Sequence, residues 1–261
     1  MKRLLYFCSF VPFQLLEQNG FQMICAYDYE KDRKEQSFLP GNPCSFIKAC
    51  ENIDFNQFDG VIFTNCCNST QRLQDYIKYY YPNLFVYMLS LPRSSKESWT
   101  YTSLLEELKQ FFKCEKITYP RIELAKIEEQ DVTGQMLVIS SSLSNSYGKQ
   151  LTAFYPEVFI KFYTCQSQPR GDQYQNAGKP VFCVRMTDFV EQMESEIKGS
   201  KAVIFITMEK CDYIMFSYPA VRQLCKKYDI QFLHIEEEFT NNISENSKIR
   251  YEAFKECMRL R

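Results

Sequence analysis

The stretch Phe58–Tyr76, FDGVIFTNCCNSTQRLQDY, decides the fold that we expect for this chain. Its apolar run GVIF predicts a short buried strand, and the spacing of apolar residues after Asn68 predicts an amphipathic helix. Two adjacent cysteines, Cys66 and Cys67, stand where the strand should end. The stretch therefore predicts a strand–turn–helix unit that carries thiols at its turn.

The same plan returns in Ser200–Leu224, SKAVIFITMEKCDYIMFSYPAVRQL, where Cys211 follows a second apolar run. Short apolar strands alternate with amphipathic helices along the chain, a pattern typical of parallel sheets covered by helices on both faces. A charged, poorly periodic stretch that contains Pro120 separates two such runs. We therefore expect an α/β protein of two doubly wound domains, residues 1–115 and 134–261, joined by a connector at 116–133. Within the second domain we predict a strand at 181–186, VFCVRM, and a helix that begins at Tyr218.

Composition excludes some classes of partner. Lys and Arg total 31 and Asp and Glu total 32 in 261 residues, so there is no electrostatic case for binding nucleic acid or an anionic membrane surface. No apolar run approaches the roughly 20 residues of a membrane helix. The start, MKRLLYFCSFVPF, resembles a signal peptide but lacks a small-residue cleavage pattern. We expect a cytoplasmic protein.

Twelve cysteines are a high count for such a chain. A well-cored chain in a reducing cytoplasm needs no disulfide framework, so we expect metal ligation for a few thiols and burial for the rest. The expected inert thiols lie in apolar runs or inside helices: Cys8, Cys25, Cys165, Cys183, Cys225 and Cys257.

Four other cysteines are candidate ligands. Ligands of open α/β sheets collect beyond the carboxyl ends of the strands, where Cys66, Cys67 and Cys211 are predicted to lie. Cys44 opens a helix after a loop with Pro and Gly. A helix N-terminus lowers the pKa of a thiol, and thiolates bind soft metals. Cys44, one of the Cys66/Cys67 pair and Cys211 are therefore a candidate metal-binding trio; inert thiols are the alternative.

Other common sites are excluded. The chain has no CxxC pair, no GxGxxG and no GxxxxGK[ST]. Its one histidine, His234, lies in an apolar strand and is expected to be a buried structural residue. Nucleophilic catalysis that depends on histidine is not expected.

Several segments, in order along the chain, resemble the 2-hydroxyacyl-CoA dehydratase and benzoyl-CoA reductase subunit family. VPFQLLEQNG resembles a degraded P-E-E-L-x-x-A-A-G motif, and LPGNPCSFIKA resembles the segment of the first cluster cysteine. CNSTQRLQD resembles C-D-S-x-x-R-L-x-D, which aligns Cys67 rather than Cys66 with the second ligand. The remaining matches are LSLPR, MEKCDYIMFSYPAVRQL with Cys211 as third ligand, and IQFLHIEEEFTNNISENSKIRYEAFKE.

The resemblance implies two flavodoxin-like domains with a [4Fe-4S] cluster between them, held by Cys44, Cys67 and Cys211. It also implies a dimer of related subunits and a separate ATP-dependent activator protein that supplies one electron. The implied reaction passes this electron to an acyl-CoA thioester, and the resulting ketyl radical expels the 2-hydroxyl group as water. Such an enzyme is a lyase that works without oxygen.

The chain departs from the family pattern at two places. The Asp that follows the second cysteine is replaced by Asn68, and Cys66 offers an alternative ligand. The connector is short, which leaves less surface for CoA. Two other functions therefore stay open: an electron-relay or reductase component that does not act on acyl-CoA, and a metal-free α/β scaffold protein.

Two polar residues are candidate catalytic residues. Arg72, just inside a helix beside the cluster, is expected to contact an anionic ligand, or else to be a solvated or ion-paired arginine. The same alternatives apply to Arg93, and Arg250 also matches the family pattern. Ser45 is expected either to approach the open position of the cluster or to cap its helix.

Overall fold

The structure, a computed structural model, describes residues 1–29, 39, 42–91, 93, 101–114, 135–164, 183 and 187–259. These residues form two compact units. The first unit contains 1–29, 39, 42–43, 47–91, 93 and 101–114, and the second contains 44–46, 135–164, 183 and 187–259. The predicted connector, 116–133, lies outside the described residues, as does the predicted strand 181–186 except for Cys183.

The first unit contains a parallel sheet in the order β2-β1-β3-β4. Its strands are β1 Lys2–Tyr6, β2 Phe21–Cys25, β3 Gly60–Thr64 and β4 Phe85–Leu89. Its helices are α1 Phe13–Gln18, α2 Ser45–Cys50, α3 Asn68–Tyr80 and α4 Thr102–Phe112, with a 3₁₀ turn at Phe55–Gln57. The first two residues of α2 group with the second unit.

The central strand β3 is buried over its whole length. Helix α3 turns Leu73 and Ile77 inward, and α4 turns Leu104, Leu105 and Leu108 inward, so each helix buries one apolar stripe. The end of α1 is set by Gly20, whose φ of 83° lies in the left-handed region that glycine adopts at low cost.

The second unit repeats this order as β6-β5-β7-β8, again parallel throughout. Its strands are β5 Met136–Ser140, β6 Ile160–Tyr163, β7 Ala202–Met208 and β8 Gln231–Glu237. Its helices are α5 Asn145–Phe154, α6 Phe189–Lys198, α7 Asp212–Lys227 and α8 Glu245–Arg259.

Helices cover both faces of this second sheet. Alternate residues of β5 and β7 face opposite sides, as the period of two in a strand requires. Met136 and Val138 pack in one cluster with Tyr147 of α5 and Tyr251 of α8. The other face packs against α6 and α7, whose buried residues include Met193, Ile197, Ile214 and Val221.

The expected α/β class is confirmed, with two flavodoxin-like, all-parallel four-stranded sheets. None of the helices within the described ranges combines the length and the apolarity needed to cross a bilayer.

The predicted start of the helix after β7 is wrong. The helix was expected from Tyr218, next to Pro219, and proline is favoured in the first turn of a helix. Instead α7 begins at Asp212 and contains Pro219 in its interior. The buried stripe Ile214, Ser217, Val221 and Cys225 keeps a helical spacing through the proline, so burial of this face outweighs the local preference.

Burial of the expected inert thiols is confirmed only in part. Cys8 and Cys225 are buried, whereas Cys25 and Cys183 are half-buried. Cys257 is exposed, against expectation, because it lies off the stripe of α8 that holds Tyr251, Phe254 and Met258. Cys165 lies outside the described residues.

Candidate metal centre

Cys67 occupies the N-terminal cap of α3, the helix that follows β3. Its backbone is extended, with φ −157° and ψ 166°, and its sulfur accepts a hydrogen bond from the Thr70 backbone N–H at 3.4 Å. The Cys67 Sγ also lies 3.0 Å from the Thr70 hydroxyl oxygen. A thiol therefore takes the place that Ser, Thr, Asp or Asn usually holds at a helix start.

Cys66 shares the same hydroxyl. Its Sγ lies 3.3 Å from the Thr70 hydroxyl oxygen, and the side chains of Cys66 and Cys67 are both half-buried. The hydrogen bond with Cys66, together with burial, raises the pKa of Cys67. The neighbouring thiol and the loss of water act on this pKa against the helix dipole.

Asn65 fixes the turn to the next strand. Its backbone N–H donates to the Leu89 carbonyl at 3.1 Å, and its Oδ1 accepts from the Leu91 N–H at 2.9 Å. Leu89 and Leu91 belong to the LSLPR segment, so this segment is hydrogen-bonded to the turn that precedes CNSTQRLQD. Sequence reasoning missed Asn65 and Thr70; a Thr three residues after a candidate capping thiol was the available signal for the latter.

Cys211 occupies the equivalent cap position of α7, the helix that follows β7. Lys210 has a φ of 61°, a left-handed conformation that reverses the chain, and the Cys211 N–H donates to the Met208 carbonyl at 2.9 Å. Within the described turn the Cys211 side chain does not cap its own helix. Asp212 follows it and places a carboxylate in the first turn.

Residues 44–46 belong to the second unit and lie beside the Cys211 turn. The Ser45 backbone N–H donates to the Glu209 carbonyl at 3.3 Å, and the Ser45 hydroxyl accepts from the Phe239 N–H at 2.8 Å. Phe46 and Phe239 pack edge to face with ring centroids 4.9 Å apart. Buried Cys44 therefore lies on a segment that is hydrogen-bonded to Glu209, two residues before Cys211.

The two turns occupy the same place in their sheets. In each sheet the first and third strands in chain order are neighbours, and the connections from them leave in opposite directions. Ligands of open α/β sheets bind at such a switch point, beyond the carboxyl ends of the strands. Cys67 follows the third strand of one sheet and Cys211 follows the third strand of the other.

The predicted ligands are thus brought together in pairs. Cys66 and Cys67 meet at Thr70, and the segments of Cys44 and Cys211 are joined in the second unit. In the described parts of the two units, no group of three or more His, Cys, Asp or Glu side chains converges. The donors fit an iron–sulfur cluster in chemistry, because Cys44, Cys67 and Cys211 are thiols that each directly precede the first residue of a helix, and Fe–S clusters are held by thiolates.

The other candidates are placed as follows. Arg72 lies on the exposed face of α3, and Arg93 is exposed beyond β4. The Arg250 guanidinium donates to the His234 carbonyl, so it supports β8. His234 is half-buried and its Nε2 lies 2.9 Å from the Thr207 hydroxyl; burial lowers its pKa, in agreement with a structural role.

A cavity opens at the carboxyl edge of the second sheet. Its volume is about 420 Å³, and its lining includes Ser144, Asn145, Lys149 and Thr164. Ser144 caps α5 through a bond from the Tyr147 N–H at 3.1 Å, so the cavity meets a helix N-terminus and a lysine. The cavity is on the same edge of the sheet as Cys211.

The chain matches one protein family over most of its length. The sequence profile described as 2-hydroxyglutaryl-CoA dehydratase, D-component, matches residues 8–130 and 171–258. Among curated proteins none matches the chain. One solved structure, that of the E. coli RcsC C-terminus with linker region and phosphoreceiver domain, is similar at 11% identity and a TM-score of 0.21, covering 99% of this chain and 95% of that one.

Proposed function

Because the chain belongs to the family of the 2-hydroxyglutaryl-CoA dehydratase D-component, we propose that it is the [4Fe-4S] cluster-binding subunit of a 2-hydroxyacyl-CoA dehydratase-type enzyme. The proposed ligands are Cys44, Cys67 and Cys211. The observation that carries the proposal is the equivalence of the Cys67 and Cys211 turns, each at the switch point of its own sheet. The hydrogen bond from the Ser45 N–H to the Glu209 carbonyl supports the inclusion of Cys44.

Each unit would contribute thiols in its own way. Iron displaces the thiol proton, so loading would replace the contact of Cys67 with the Thr70 hydroxyl by a bond to the metal. Cys44 is buried beside the Cys211 turn, which keeps water from one side of the site. When bound, the cluster would supply a single electron to the thioester of an acyl-CoA substrate.

Two residues are proposed to contact the substrate. The Ser45 hydroxyl accepts from the Phe239 N–H, and its own hydrogen remains to be donated, because a hydroxyl has one donor and two acceptor positions. Arg72 is exposed one turn into α3 and presents a fixed positive charge to anionic groups such as phosphates. The cavity with Lys149 offers a second anion contact at the carboxyl edge of the second sheet.

The partners are proposed from the family. A related subunit or a second copy of this chain would complete the enzyme, and an ATP-dependent activator protein would supply the electron.

Iron and sulfide content tests the cluster. We expect the chain purified without oxygen to contain iron and acid-labile sulfide in equal amounts, with an electron paramagnetic resonance signal after reduction by dithionite. Cys44→Ala, Cys67→Ala and Cys211→Ala should each lose the iron, whereas Cys183→Ala, the matched control at another half-buried thiol, should keep it. An iron-free chain after attempted reconstitution would reject the proposal and leave the metal-free scaffold.

A relay or reductase component is the second candidate. A cavity of about 570 Å³ in the first unit, lined by Lys2, Asp59 and Leu84 among others, lies at the amino ends of the strands, opposite Cys67. A site that is built for electron transfer alone needs no acyl pocket beside its ligand. Calorimetric titration of the iron-loaded chain with an acyl-CoA separates the two: binding supports the dehydratase, and no binding supports the relay.

A further inference from the structure

Cys66 and Cys67 form a thiol pair on a single hydroxyl group. The sulfur of each lies within hydrogen-bonding distance of the Thr70 hydroxyl oxygen, at 3.3 and 3.0 Å. Successive side chains of an extended segment point to opposite faces, so the turn after β3 must bring the two sulfurs to the same side. Neither cysteine is in a disulfide, and both side chains are half-buried.

We propose that Cys66 and Cys67 are a redox-active vicinal dithiol, which closes to a disulfide when the chain carries no cluster and thereby withholds Cys67 from iron. The effect on iron rests on the proposed function; the closure itself does not. Two S–H bonds break and one S–S bond forms. The two electrons and two protons pass to a low-molecular-weight disulfide, which is reduced to two thiols.

The geometry makes this bond easy to reduce. The Cα atoms of neighbouring residues are about 3.8 Å apart across a trans peptide, whereas disulfides usually span about 4.4–6.8 Å. The ring that joins Cys66 to Cys67 is therefore strained, and strained disulfides have more oxidising potentials than structural ones. A reducing environment keeps the pair open for iron, and the pair closes only when the surrounding thiols are oxidised.

A disulfide with Cys67 would give Cys66 a role, whereas metal binding by Cys67 alone does not explain why a second thiol lies beside it. One sulfur at the cap of α3 suffices to bind the metal, and Cys67 holds that cap. Cys66 is not needed for the cap, yet its sulfur is held beside the ligand by Thr70. A second thiol held beside a metal-binding thiol is placed to pair with it when the metal is absent.

Peptide mapping tests the closure directly. The iron-free full chain is treated with diamide, the remaining thiols are alkylated, and the protein is digested with trypsin. The peptide Ala49–Arg72 holds Cys50, Cys66 and Cys67. We expect this peptide to lose two hydrogens and to carry one alkyl group, on Cys50. Cys50 is fully buried in the folded chain, so the alkylation is completed in denaturant, where this thiol is accessible. Reduced glutathione in excess should restore three alkylated thiols.

Two variants and the iron-loaded chain complete the test. Cys66→Ser should abolish the loss of two hydrogens, and Cys257→Ser, at an exposed thiol of α8, should leave it unchanged. The iron-loaded chain should resist closure until a chelator removes the metal. Three alkylated thiols after oxidation, or a bond from either cysteine to a third one, overturns the dithiol. Equal closure of loaded and stripped chain overturns the link to iron, and absence of iron from every sample overturns the proposed function while the peptide still decides the closure.

Discussion

The turn after β3 and the turn after β7 occupy the same position in two sheets of the same order, but they treat their thiols differently. At β3 the Cys67 sulfur caps its own helix and contacts Thr70. At β7 the turn is formed by the backbone, with Lys210 in a left-handed conformation, and the Cys211 side chain in the described turn does not cap its helix. The residue after the thiol is neutral Asn68 in one turn and acidic Asp212 in the other.

The strand order places the two proposed ligands at equivalent positions, and the local contacts of each turn differ. On binding a metal, Cys67 would give up its role as helix cap, whereas Cys211 has no such cap to lose. The cores also differ. The second unit buries a chain of hydroxyl groups, in which Tyr147 contacts Tyr251 at 2.8 Å and Glu237 at 3.2 Å, while the first stacks Phe7 on Phe63.

The largest effect on stability is expected at the first residue of β3, which is compared with the first residue of β7. A Cβ on Gly60 would lie 2.8 Å from Leu4 Cδ2 and 2.9 Å from Phe85 Cβ, closer than packed carbon atoms allow. Gly60→Ala should therefore cost about 1–3 kcal/mol of unfolding free energy in the first unit. Ala202 stands at the equivalent position of β7, where the sheet accommodates a methyl group.

Gly148→Ala is the matched control in the second unit. Its Cβ would approach no atom closer than Phe162 at 3.9 Å, and Gly148 lies inside helix α5. This substitution should stabilise the second unit by about 0.5–1 kcal/mol. Native-state hydrogen exchange read by peptides reports each unit separately. Equal effects of the two substitutions would mean that a methyl group at Gly60 meets no closer packing than one at Gly148.

The second effect concerns the capping thiol. Cys67→Ala removes the acceptor of the Thr70 N–H and should cost about 0.5–2 kcal/mol, whereas Cys67→Ser keeps a good cap and should cost less. Cys211→Ala removes no helix cap and should therefore cost less than Cys67→Ala. Denaturant unfolding of the iron-free chains measures all three. A cost at Cys211 as large as that at Cys67 would remove the contrast between the turns.

The third effect concerns the hydroxyl chain of the second unit. Tyr251→Phe removes one hydrogen bond and should cost about 0.5–1.5 kcal/mol at neutral pH. Burial raises the pKa of Tyr251 above its ordinary value of 10.0, so its contribution is fully present below pH 10 and is lost as the pH rises above it. The variant should therefore lose stability less steeply than the parent between pH 10 and pH 12. Parallel slopes would show that Tyr251 does not titrate differently in the folded state.

The alternation of apolar strands and amphipathic helices was enough to predict both sheets, because burial on two faces demands that pattern. The start of α7 was not predictable, since the rule for proline is local and the burial of Ile214 and Ser217 is not. The partner of Ser45 was also out of reach. Phe239 lies 194 residues away, and no spacing in the sequence links the two. The sharing of Thr70 by two thiols depends on the shape of one turn, which composition does not encode.

The smallest effect concerns the residue after each thiol. Asn68 is exposed at the first position of α3, which has no acidic residue in its first turn. Asn68→Asp adds a carboxylate near the positive end of the helix dipole and should stabilise α3 by about 0.3–1 kcal/mol at low salt. Asp212→Asn removes the equivalent charge from α7 and should destabilise that helix by a similar amount. Because both charges stand beside proposed ligands, the first change should also shift the reduction potential of the iron-loaded chain to more negative values, and the second to more positive ones. If the two substitutions change the unfolding free energy but not the reduction potential, the iron is bound away from these two turns.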